Sequence, residues 1–545
     1  VEIGDIDVDI PGEYRDKVFE HCIETFGKDK TAFVLALGTV VDKGTIDEIG
    51  RALKYPIDEV KAIKKEYVEN PEKAQKKYPE IFKYFDGIIN TCVSQSRHPA
   101  GIVISPITLD DNYGTLVDSD GNRVLQLDME AVHEVGLAKY DLLGLRTIHT
   151  LYKAYQLIGK EYPRAHEIDW DDQKVWADML RSPFGIFQME SPFAFQMINE
   201  FKPKNIFDMS LVTAMIRPSG ASYRDRLIKR EFNKNPSEEI DELLKNNYGF
   251  LVYQEDVIAF LQNICGLSGG EADNIRRAIG RKDIDRLEKA MPSILEGYCK
   301  NSKRPREVAE EEAKAFLKVI EDASSYMFGY NHSIAYCMLG YMCAYLRYYY
   351  PIEFLTASFN TIESEKDISE CTQLAKQMRV SIYPAKFRYS RSDYYMDKDN
   401  NAIYKGIASI KYLSPDTAEY LFSLRNEKYD GFIDLLASLD SKYINSRQIE
   451  ILIKLDFFKE FGNSRYLLNV YRFYEQFGKS KMIGKDKFDG ADVFEGIFKR
   501  HSRETAKKYV DLDMKAILKE VEEYLKVIHN NDFSIIEKIV WQQEY

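Results

Sequence analysis

Three aspartates stand at every second position near the start of the chain. They are Asp5, Asp7 and Asp9, and the aliphatic residues Ile6, Val8 and Ile10 alternate with them. Strict alternation predicts a half-buried β-strand, because successive side chains of a strand point to opposite faces of the sheet. We therefore expect three carboxylates on one face of this strand and aliphatic side chains entering a core on the other face.

Carboxylates this close together repel one another unless a positive charge lies between them. Hard divalent cations such as Mg²⁺ prefer carboxylate oxygens, so the pattern favours a metal site. The alternative is an acidic edge strand whose carboxylates are solvated. Three aspartates in register, with a further isolated aspartate downstream, favour the metal.

The downstream aspartate is Asp141. Short apolar residues lead up to it and a helix-like stretch follows from Arg146 to Gly159, which predicts a carboxylate near the end of a strand. Lys139 lies two residues earlier and is expected on the same face, where it could contact a phosphate or hold a carboxylate. The alternative is that Lys139 is a solvated residue of an edge strand.

These residues resemble the alpha subunits of bacterial replicative DNA polymerase III, the C-family polymerases. That family carries a Pro-Asp-x-Asp-x-Asp/Asn strand and a later Lys-Phe/Leu-Asp-x-Leu-Gly strand, and Asp5, Asp7 and Asp141 match its three carboxylates. The resemblance implies that these three residues are catalytic and together hold two Mg²⁺ ions. Asp9 falls on a position that the family does not reserve for aspartate.

Further motifs of the family follow in the same order along the chain. They are Gly38–Val40 with Lys43 and Gly50–Arg51, Arg97–Ile104, Gly185–Ser191, Ile216–Pro218, Val252–Val257, Ala272–Lys282, Tyr326–Tyr336 and Tyr350–Pro351. Each motif is weak alone, but their collinear order is a strong signal. The resemblance extends from residue 3 to residue 465 and implies the palm, thumb and fingers region without the N-terminal domain that precedes it in the family.

The resemblance also assigns residues to substrates. It implies nucleotide binding by Lys139, Arg276, Arg277, Lys282 and His332, and DNA binding by Lys43, Arg51 and Arg217. One departure is Tyr330, which stands two positions before His332 where the family has a basic residue. The implied partners are primer-template DNA, deoxynucleoside triphosphates (dNTPs), a sliding clamp and other replisome subunits, in the cytoplasm at the nucleoid and without a membrane.

The distribution of charge is more informative than its total. The formal net charge of −12 argues on its own against a nucleic-acid binder. Residues 217–230, however, contain five basic residues and one acid, and residues 276–289 contain six basic residues and three acids. Such clusters can neutralise phosphates, although an ordinary mixed-charge helix face is the alternative.

Composition also limits the class of protein. The seven cysteines are dispersed without a Cys-x-x-Cys pair, which predicts a reduced cytosolic chain with neither a zinc site nor a disulfide framework. No apolar run approaches the roughly 20 residues that a membrane-spanning helix needs.

The hydrophobic periodicity, together with the resemblance, predicts an α+β fold. It comprises a mixed-sheet palm with an inserted helical thumb, a large and mainly helical fingers domain, and a C-terminal helix-hairpin-helix-like domain. The predicted boundaries are 1–37 and 98–145 for the palm, 38–97 for the thumb, 146–360 for the fingers, 361–480 for the helix-hairpin-helix-like domain and 481–545 for a helical segment that matches no known motif.

The helix-hairpin-helix resemblance is incomplete. Residues 406–411 and 444–458 resemble the paired elements of such a domain, which grips duplex DNA through the backbone amides of Gly-rich hairpins. The first hairpin, residues 412–415, lacks those glycines, and Pro415 has no backbone donor. Duplex binding and a purely structural helical domain both remain open.

Three functions of different classes are compatible with the sequence. The first is a template-directed DNA polymerase, whose nucleotidyl transfer needs two metal ions about 3.5 to 4 Å apart. The second is a haloacid-dehalogenase-like phosphohydrolase, since Asp5 and Asp7 also resemble its nucleophile strand, but this requires a parallel sheet. The third is a polymerase-like DNA-binding module without catalysis. The collinear motifs and the three aspartates favour the polymerase.

Overall fold

The computed structural model describes residues 6–281, 283–323, 327–362, 364–479, 482–484, 492–506 and 509–545. Two of the predicted site residues, Asp5 and Lys282, lie outside these ranges. The chain divides into two compact units, Val1–His149 and Thr150–Tyr545. Within the described ranges, every helix is too short or too polar to span a membrane.

The first unit mixes strands and short helices. Its strands are β1 (Ile6–Ile10), β2 (Thr31–Thr39), β3 (Cys92–Ile104), β4 (Thr115–Val117), β5 (Arg123–Leu125) and β6 (Lys139–Gly144). Its helices are α1 (Arg15–Phe26), α2 (Asp42–Ala52), α3 (Ile57–Glu69), α4 (Pro71–Lys77), α5 (Pro79–Phe82), α6 (Phe85–Ile88), α7 (Leu109–Tyr113) and α8 (Met129–Glu134).

The six strands form one mixed sheet in the order β1-β6-β3-β2-β5-β4. Strand β1 pairs parallel with β6, whereas β3 pairs antiparallel with both β6 and β2. A mixed sheet confirms the α+β prediction and contradicts the haloacid-dehalogenase alternative, which requires a parallel sheet. Apolar residues pack on both faces of the sheet, one cluster including Phe19 of α1 and the other Val132 of α8.

The prediction that all three aliphatic residues of β1 enter a core is wrong for two of them. Ile6 and Val8 are 45% and 40% exposed, and only Ile10 packs against the cluster around Phe19. Helix α1 packs over β2, β3 and β6, so the corresponding face of β1, the outermost strand of the described sheet, is left largely uncovered.

Five helices, α2 to α6, lie between β2 and β3 and form a core of their own. Their buried residues are Ile46, Ile49, Val60, Ile63, Ile81 and Phe85. The predicted boundaries at 38 and 97 fall inside the strands, because β2 and β3 continue past the sheet as a two-stranded ribbon that pairs Leu37 with Gln95 and Gly38 with Ser94. The helical insertion is therefore carried at the end of this ribbon.

The second unit is mainly helical up to residue 377. Its helices there are α9 (Arg146–Ile158, which begins in the first unit), α10 (Gln173–Met179), α11 (Pro192–Phe201), α12 (Ile206–Ile216), α13 (Arg224–Ile228), α14 (Glu238–Leu243), α15 (Gln254–Ala259), α16 (Gly269–Arg281), α17 (Ile284–Asn301), α18 (Arg306–Ala323), α19 (Tyr330–Tyr349), α20 (Pro351–Phe359) and α21 (Glu365–Gln377). The middle of helix α19 is buried, since every residue from Gly340 to Arg347 except Tyr345 is buried.

The remainder of the chain combines helices with two small sheets. Its elements are β7 (Ser381–Tyr383), β8 (Tyr395–Asp397), β9 (Ala402–Tyr404), α22 (Pro415–Ser423), α23 (Phe432–Ser438), α24 (Ser446–Lys454), α25 (Ser464–Phe477), β10 (Met482–Gly484), α26 (Glu495–Arg500), β11 (Ser502–Ala506), β12 (Tyr509–Leu512), α27 (Met514–Ile528) and α28 (Ile535–Glu544). The segment after residue 480, predicted to be helical, contains α26, α27 and α28 and also a small sheet formed by β10, β11 and β12. The alternation that buries Val510 and Leu512 is the sequence signal for it.

The two hairpins of the helix-hairpin-helix region are related by an internal repeat. Lys-Tyr-Leu-Ser at 411–414 precedes α22, and Lys-Tyr-Ile-Asn at 442–445 precedes α24. Thr417 Oγ1 donates to the Tyr443 carbonyl and Gln448 Nε2 donates to the Tyr412 carbonyl, each at 2.8 Å. The third residue of each helix thus holds the hairpin that precedes the other helix, which gives the pair an approximate twofold symmetry.

Tyr412 takes the conformation that glycine adopts in many tight turns. Its φ angle is 70°, its side chain is half exposed, and the Arg447 guanidinium lies 3.5 Å from its ring centroid. A left-handed backbone at a bulky residue is strained. The hairpin therefore adopts the left-handed turn typical of glycine although it contains no glycine. Stacking of Arg447 on the Tyr412 ring offsets the backbone strain.

A buried ion pair joins α10 to α19. Both side chains are fully buried, and Arg347 Nε donates to Asp178 Oδ2 at 2.7 Å. The same guanidinium donates to the carbonyls of Ser182 and Phe184 through Nη1 and of Asp178 through Nη2. These contacts satisfy a charge that would otherwise be costly to bury, and they fix the turn after α10 against α19.

We expect Arg347→Met to lower the free energy of unfolding of this unit by about 3 to 5 kcal/mol, because Asp178 stays charged and fully buried and keeps, among the described residues, only the 45% exposed Arg181 as an ionic partner. The matched control is Arg306→Met, which removes an arginine that is 66% exposed and should cost less than about 1 kcal/mol. Urea unfolding followed by tryptophan fluorescence measures both, since Trp170 and Trp176 pack against Tyr341 of α19. Equal losses for the two variants would contradict a structural role for the buried pair.

Candidate active site

Parallel pairing of β1 with β6 places two of the predicted aspartates side by side. Asp7 and Asp141 are direct partners in the register, on adjacent strands whose spacing is about 4.8 Å. Their side chains therefore project from the same face of the sheet. Asp141 is the third residue of the six-residue strand β6, three residues before its end at Gly144.

The two oxygens of Asp141 differ in environment. Lys139 Nζ donates to Oδ2 at 2.9 Å, and the Lys139 side chain is only 3% exposed. Oδ1 is buried and has no hydrogen-bond partner among the described residues. Lys139 is thus neither solvated nor in an edge strand, and one of its contacts holds a carboxylate.

His98 of β3 stands next to the unpartnered oxygen but does not donate to it. Its Nδ1 accepts from the backbone N–H groups of Gly101, at 2.8 Å, and Ala100, at 3.3 Å. Since Nδ1 accepts, it carries no proton there, and its 3.9 Å separation from Asp141 Oδ1 is not an ion pair. The ring instead fixes the backbone of β3 beside the aspartate.

Gly101 leaves the space that this oxygen faces. It is the register partner of Asp141 on β3, and a Cβ at Gly101 would lie 3.1 Å from Asp141 Oδ1 and 2.9 Å from His98 Nδ1. A glycine inside a strand often marks a close approach of another group. Glycine thus spares Asp141 Oδ1 a close contact with a β-carbon.

The residues at this place fit a hard divalent cation by their chemistry. The donors are carboxylate oxygens of Asp7 and Asp141, one of which is buried without a partner, and Mg²⁺ prefers such oxygens. Counting only the described residues, which begin at Ile6, no cluster of three or more metal-binding side chains is found. The predicted third ligand, Asp5, lies outside that range.

The second unit contains the arginines predicted to bind the nucleotide. Arg276 and Arg277 follow one another on α16, and both bind the carboxylate of Asp273: Arg276 Nη2 contacts Oδ1 at 2.7 Å and Arg277 Nε contacts Oδ2 at 2.9 Å. Arg277 is 40% exposed and Arg276 is 22% exposed. Burial alone would raise the pKa of Asp273, but the two arginines bring it below its ordinary value, so the carboxylate stays ionised at neutral pH.

The remaining predicted contacts lie on other elements. His332 is exposed in the first turn of α19, with its ring centroid 4.2 Å from that of Tyr336. Lys43 is exposed on α2, and Arg51 on the same helix pairs with Glu48. The guanidinium of Arg217 lies 4.3 Å from the ring centroid of Phe328.

The basic cluster at 217–230 is engaged in part within the fold. Arg224 donates to the carbonyls of Met215 and Arg217, and Arg230 donates to the carbonyl of Phe201. These arginines therefore stabilise the C-terminal ends of α11 and α12 in addition to supplying positive charge.

Three positions near the predicted residues were not assigned a role from the sequence. Gly101 and His98 belong to the quoted Arg97–Ile104 motif, and a glycine inside a strand was the available signal for a close approach. Asp273 precedes the two arginines by three and four positions, the spacing at which helical side chains meet. That spacing predicts the ion pairs that the structure shows.

Comparison with known protein families agrees with these observations. Residues 1–144 match a model described as the bacterial DNA polymerase III alpha NTPase domain, and residues 145–302 match one described as the bacterial DNA polymerase III alpha subunit finger domain. Residues 379–468 match a helix-hairpin-helix motif. The boundary at 144 and 145 lies close to the division between the two compact units.

Individual relatives carry the same description. The chain is 29% identical over 500 residues to DNA polymerase III subunit alpha of Ureaplasma parvum, covering 87% of this chain and 51% of the relative. It is 28% identical over 559 residues to the Escherichia coli subunit, covering 93% of this chain and 47% of the relative. The chain thus spans about half the length of these relatives. Since the two polymerase models together match residues 1–302 of 545, the chain belongs to the family of bacterial DNA polymerase III alpha subunits.

Proposed function

We propose that the chain is the catalytic region of a DNA-directed DNA polymerase, which transfers nucleotides from dNTPs to a primer 3′-hydroxyl under the direction of a template. The observation that carries the proposal is the pairing of Asp7 with Asp141, with a buried carboxylate oxygen that has no partner among the described residues. Membership of the polymerase III alpha family supports the reaction class.

Six residues of the first unit have a defined part in this proposal. Asp5, Asp7 and Asp141 would hold two Mg²⁺ ions, which lower the pKa of the attacking hydroxyl and stabilise the leaving pyrophosphate. Lys139 fixes the rotamer of Asp141 and balances its charge. His98 and Gly101 keep β3 in place and leave room beside Asp141 Oδ1.

The second unit would supply the cations that meet the triphosphate. Arg276 and Arg277 are held by Asp273 on α16, so their guanidinium groups are oriented before a nucleotide arrives. Planar guanidinium groups bind phosphate oxygens through several N–H groups at once. Lys282 and His332 are further candidates for this contact, and preorganised charges of this kind stabilise phosphoryl transfer.

The remaining assignments complete the proposal. The sheet of the first unit would be the palm, α2 to α6 the thumb, and α9 to α20 the fingers. Lys43, Arg51 and Arg217 would contact primer-template DNA through its phosphates. A sliding clamp and other replisome subunits would be partners in the cytoplasm at the nucleoid.

Replacing either paired aspartate should abolish synthesis while leaving DNA binding intact. In the full-length polypeptide we expect Asp7→Asn and Asp141→Asn to lower Mg²⁺-dependent primer extension by about three orders of magnitude, since each removes a charge that the reaction needs. The matched control is Asp9→Asn, on the same strand, which should change extension only a few-fold. Unchanged extension by Asp7→Asn, with duplex binding also unchanged, would contradict the catalytic assignment.

Filling the space at Gly101 should impair the same site without removing a carboxylate. We expect Gly101→Ala to reduce extension by about 10- to 100-fold and to raise the Mg²⁺ concentration for half-maximal rate, because the new methyl group displaces Asp141 or His98. Gly87→Ala is the control, since a Cβ there meets nothing within 4 Å. Steady-state extension over a Mg²⁺ titration measures both, and equal behaviour of the two variants would show that the space at Gly101 is not part of the site.

Arg277→Lys should raise the KM for dNTP by about tenfold, because an ammonium group cannot reproduce the planar contacts of a guanidinium. The control is Arg286→Lys on α17, where the side chain is 63% exposed and pairs only locally, with Asp283. Nucleotide titrations at saturating primer-template give the KM values. Loss of thermal stability without a change in KM would show that Arg277 is structural and that the triphosphate binds elsewhere.

A further inference from the structure

The first turn of α15 contacts several other elements through consecutive side chains. Tyr253 Oη lies 2.7 Å from Ser210 Oγ of α12, Gln254 contacts Arg276 of α16, and Glu255 accepts from the Tyr330 N–H at the start of α19. Asp256 accepts from the N–H groups of Val252 and Tyr253 and so caps α15 itself. This segment is part of the quoted Val252–Val257 motif, to which the proposed function gives no role.

Gln254 joins the arginine on α16 to the segment that leads into α19. Its Oε1 accepts from Arg276 Nη1 at 3.1 Å, and its Nε2 donates to the Met327 carbonyl at 3.2 Å. The backbone N–H of Gln254 donates to the Phe328 carbonyl at 3.1 Å. One neighbour is a donor and the other an acceptor, so the amide can satisfy both in only one orientation.

Arg276 is thereby held on two sides. Its Nε and Nη2 donate to Asp273 Oδ1 at 3.3 and 2.7 Å, and its Nη1 donates to Gln254. Three of the five N–H groups of a guanidinium are engaged by these contacts, which leaves two in the same plane for a phosphate. The carboxylate and the amide together determine the direction in which those two point.

We propose that Gln254 is a positioning residue that orients the Arg276 guanidinium toward the nucleotide triphosphate and couples it to the segment preceding α19. The inference rests on the proposed function, since it assumes that Arg276 meets the triphosphate. Gln254 is not needed to cap α15, because Asp256 does so. Loss of the amide should therefore change the orientation of the Arg276 guanidinium more than it changes the stability of the fold.

The substitutions at Gln254 separate its two hydrogen bonds. Gln254→Leu removes both, so Arg276 keeps Asp273 but loses its second constraint. Gln254→Glu still accepts from Arg276 but cannot donate to the Met327 carbonyl, and it places a second carboxylate on the arginine. We expect each variant to raise the KM for dNTP by about tenfold with a smaller change in kcat.

The decisive experiment is a double-mutant cycle with Arg276→Ala in the full-length polypeptide. If Gln254 acts through Arg276, then Gln254→Leu should raise KM in the wild-type background and have little further effect once Arg276 is alanine. Gln196→Leu is the matched control, because that exposed side chain makes its one hydrogen bond within the described part of the chain to its helical neighbour Glu200. Its KM should stay within twofold of the wild-type value.

Binding of dATP to a complex whose primer ends in a dideoxynucleotide provides a second readout without turnover. There, Gln254→Leu should weaken dATP binding by the same factor as it raises KM. Additive effects in the cycle, or an unchanged KM and dATP affinity for Gln254→Leu, would overturn the inference while leaving the polymerase function in place. A wild-type polypeptide that neither extends a primer nor binds dATP would instead overturn the proposed function and this inference together.

Discussion

The parallel pairing of β1 with β6 is the constraint on which the proposed chemistry depends. It brings Asp7 beside Asp141 on one face of a sheet, where two carboxylates repel each other unless cations compensate them. Lys139, almost fully buried, compensates one oxygen of Asp141. The neighbouring strand β3 presents Gly101 and the His98 ring, joined by a hydrogen bond, beside the other oxygen, which is buried and has no partner among the described residues. The site thus has a positive charge from Lys139 on one side of Asp141, and on the other side it has a carboxylate oxygen that suits a bound cation.

The second unit holds arginines in two different environments, partly exposed on α16 and fully buried on α19. Asp273 binds two consecutive arginines through its two oxygens, and Gln254 restrains one of them further. A carboxylate shared by two guanidinium groups leaves a net positive charge and fixes the orientation of both guanidinium groups. Arg347, in contrast, is fully buried, and its contacts with a carboxylate and with backbone carbonyls give it a structural role.

The sequence predicted those features that depend on local periodicity and on residue types in order. Alternation located β1, the helix-like stretch after Asp141 located α9, and the collinear motifs identified the family. Contacts between distant segments were less accessible. Nothing in the alternation of Ile6 and Val8 reveals that α1 packs over β2, β3 and β6 and leaves them exposed. The length of the β2–β3 ribbon was hidden because residues 36–39 and 92–96 are mostly exposed and lack the buried face that alternation reveals. The sheet after residue 480 and the Lys-Tyr repeat of the two hairpins, in contrast, have signals in the sequence itself.

The proposed chemistry depends on a divalent cation site shared by Asp7 and Asp141, and direct metal binding tests that site without any requirement for turnover. Mn²⁺ binding to the full-length polypeptide, followed by electron paramagnetic resonance, should show site occupancy in the wild-type protein and in Asp9→Asn. The double variant Asp7→Asn with Asp141→Asn should lose that occupancy, since both shared carboxylates are neutralised. Equal Mn²⁺ stoichiometry and affinity in the wild-type protein and the double variant would contradict the assignment of these two aspartates as metal ligands.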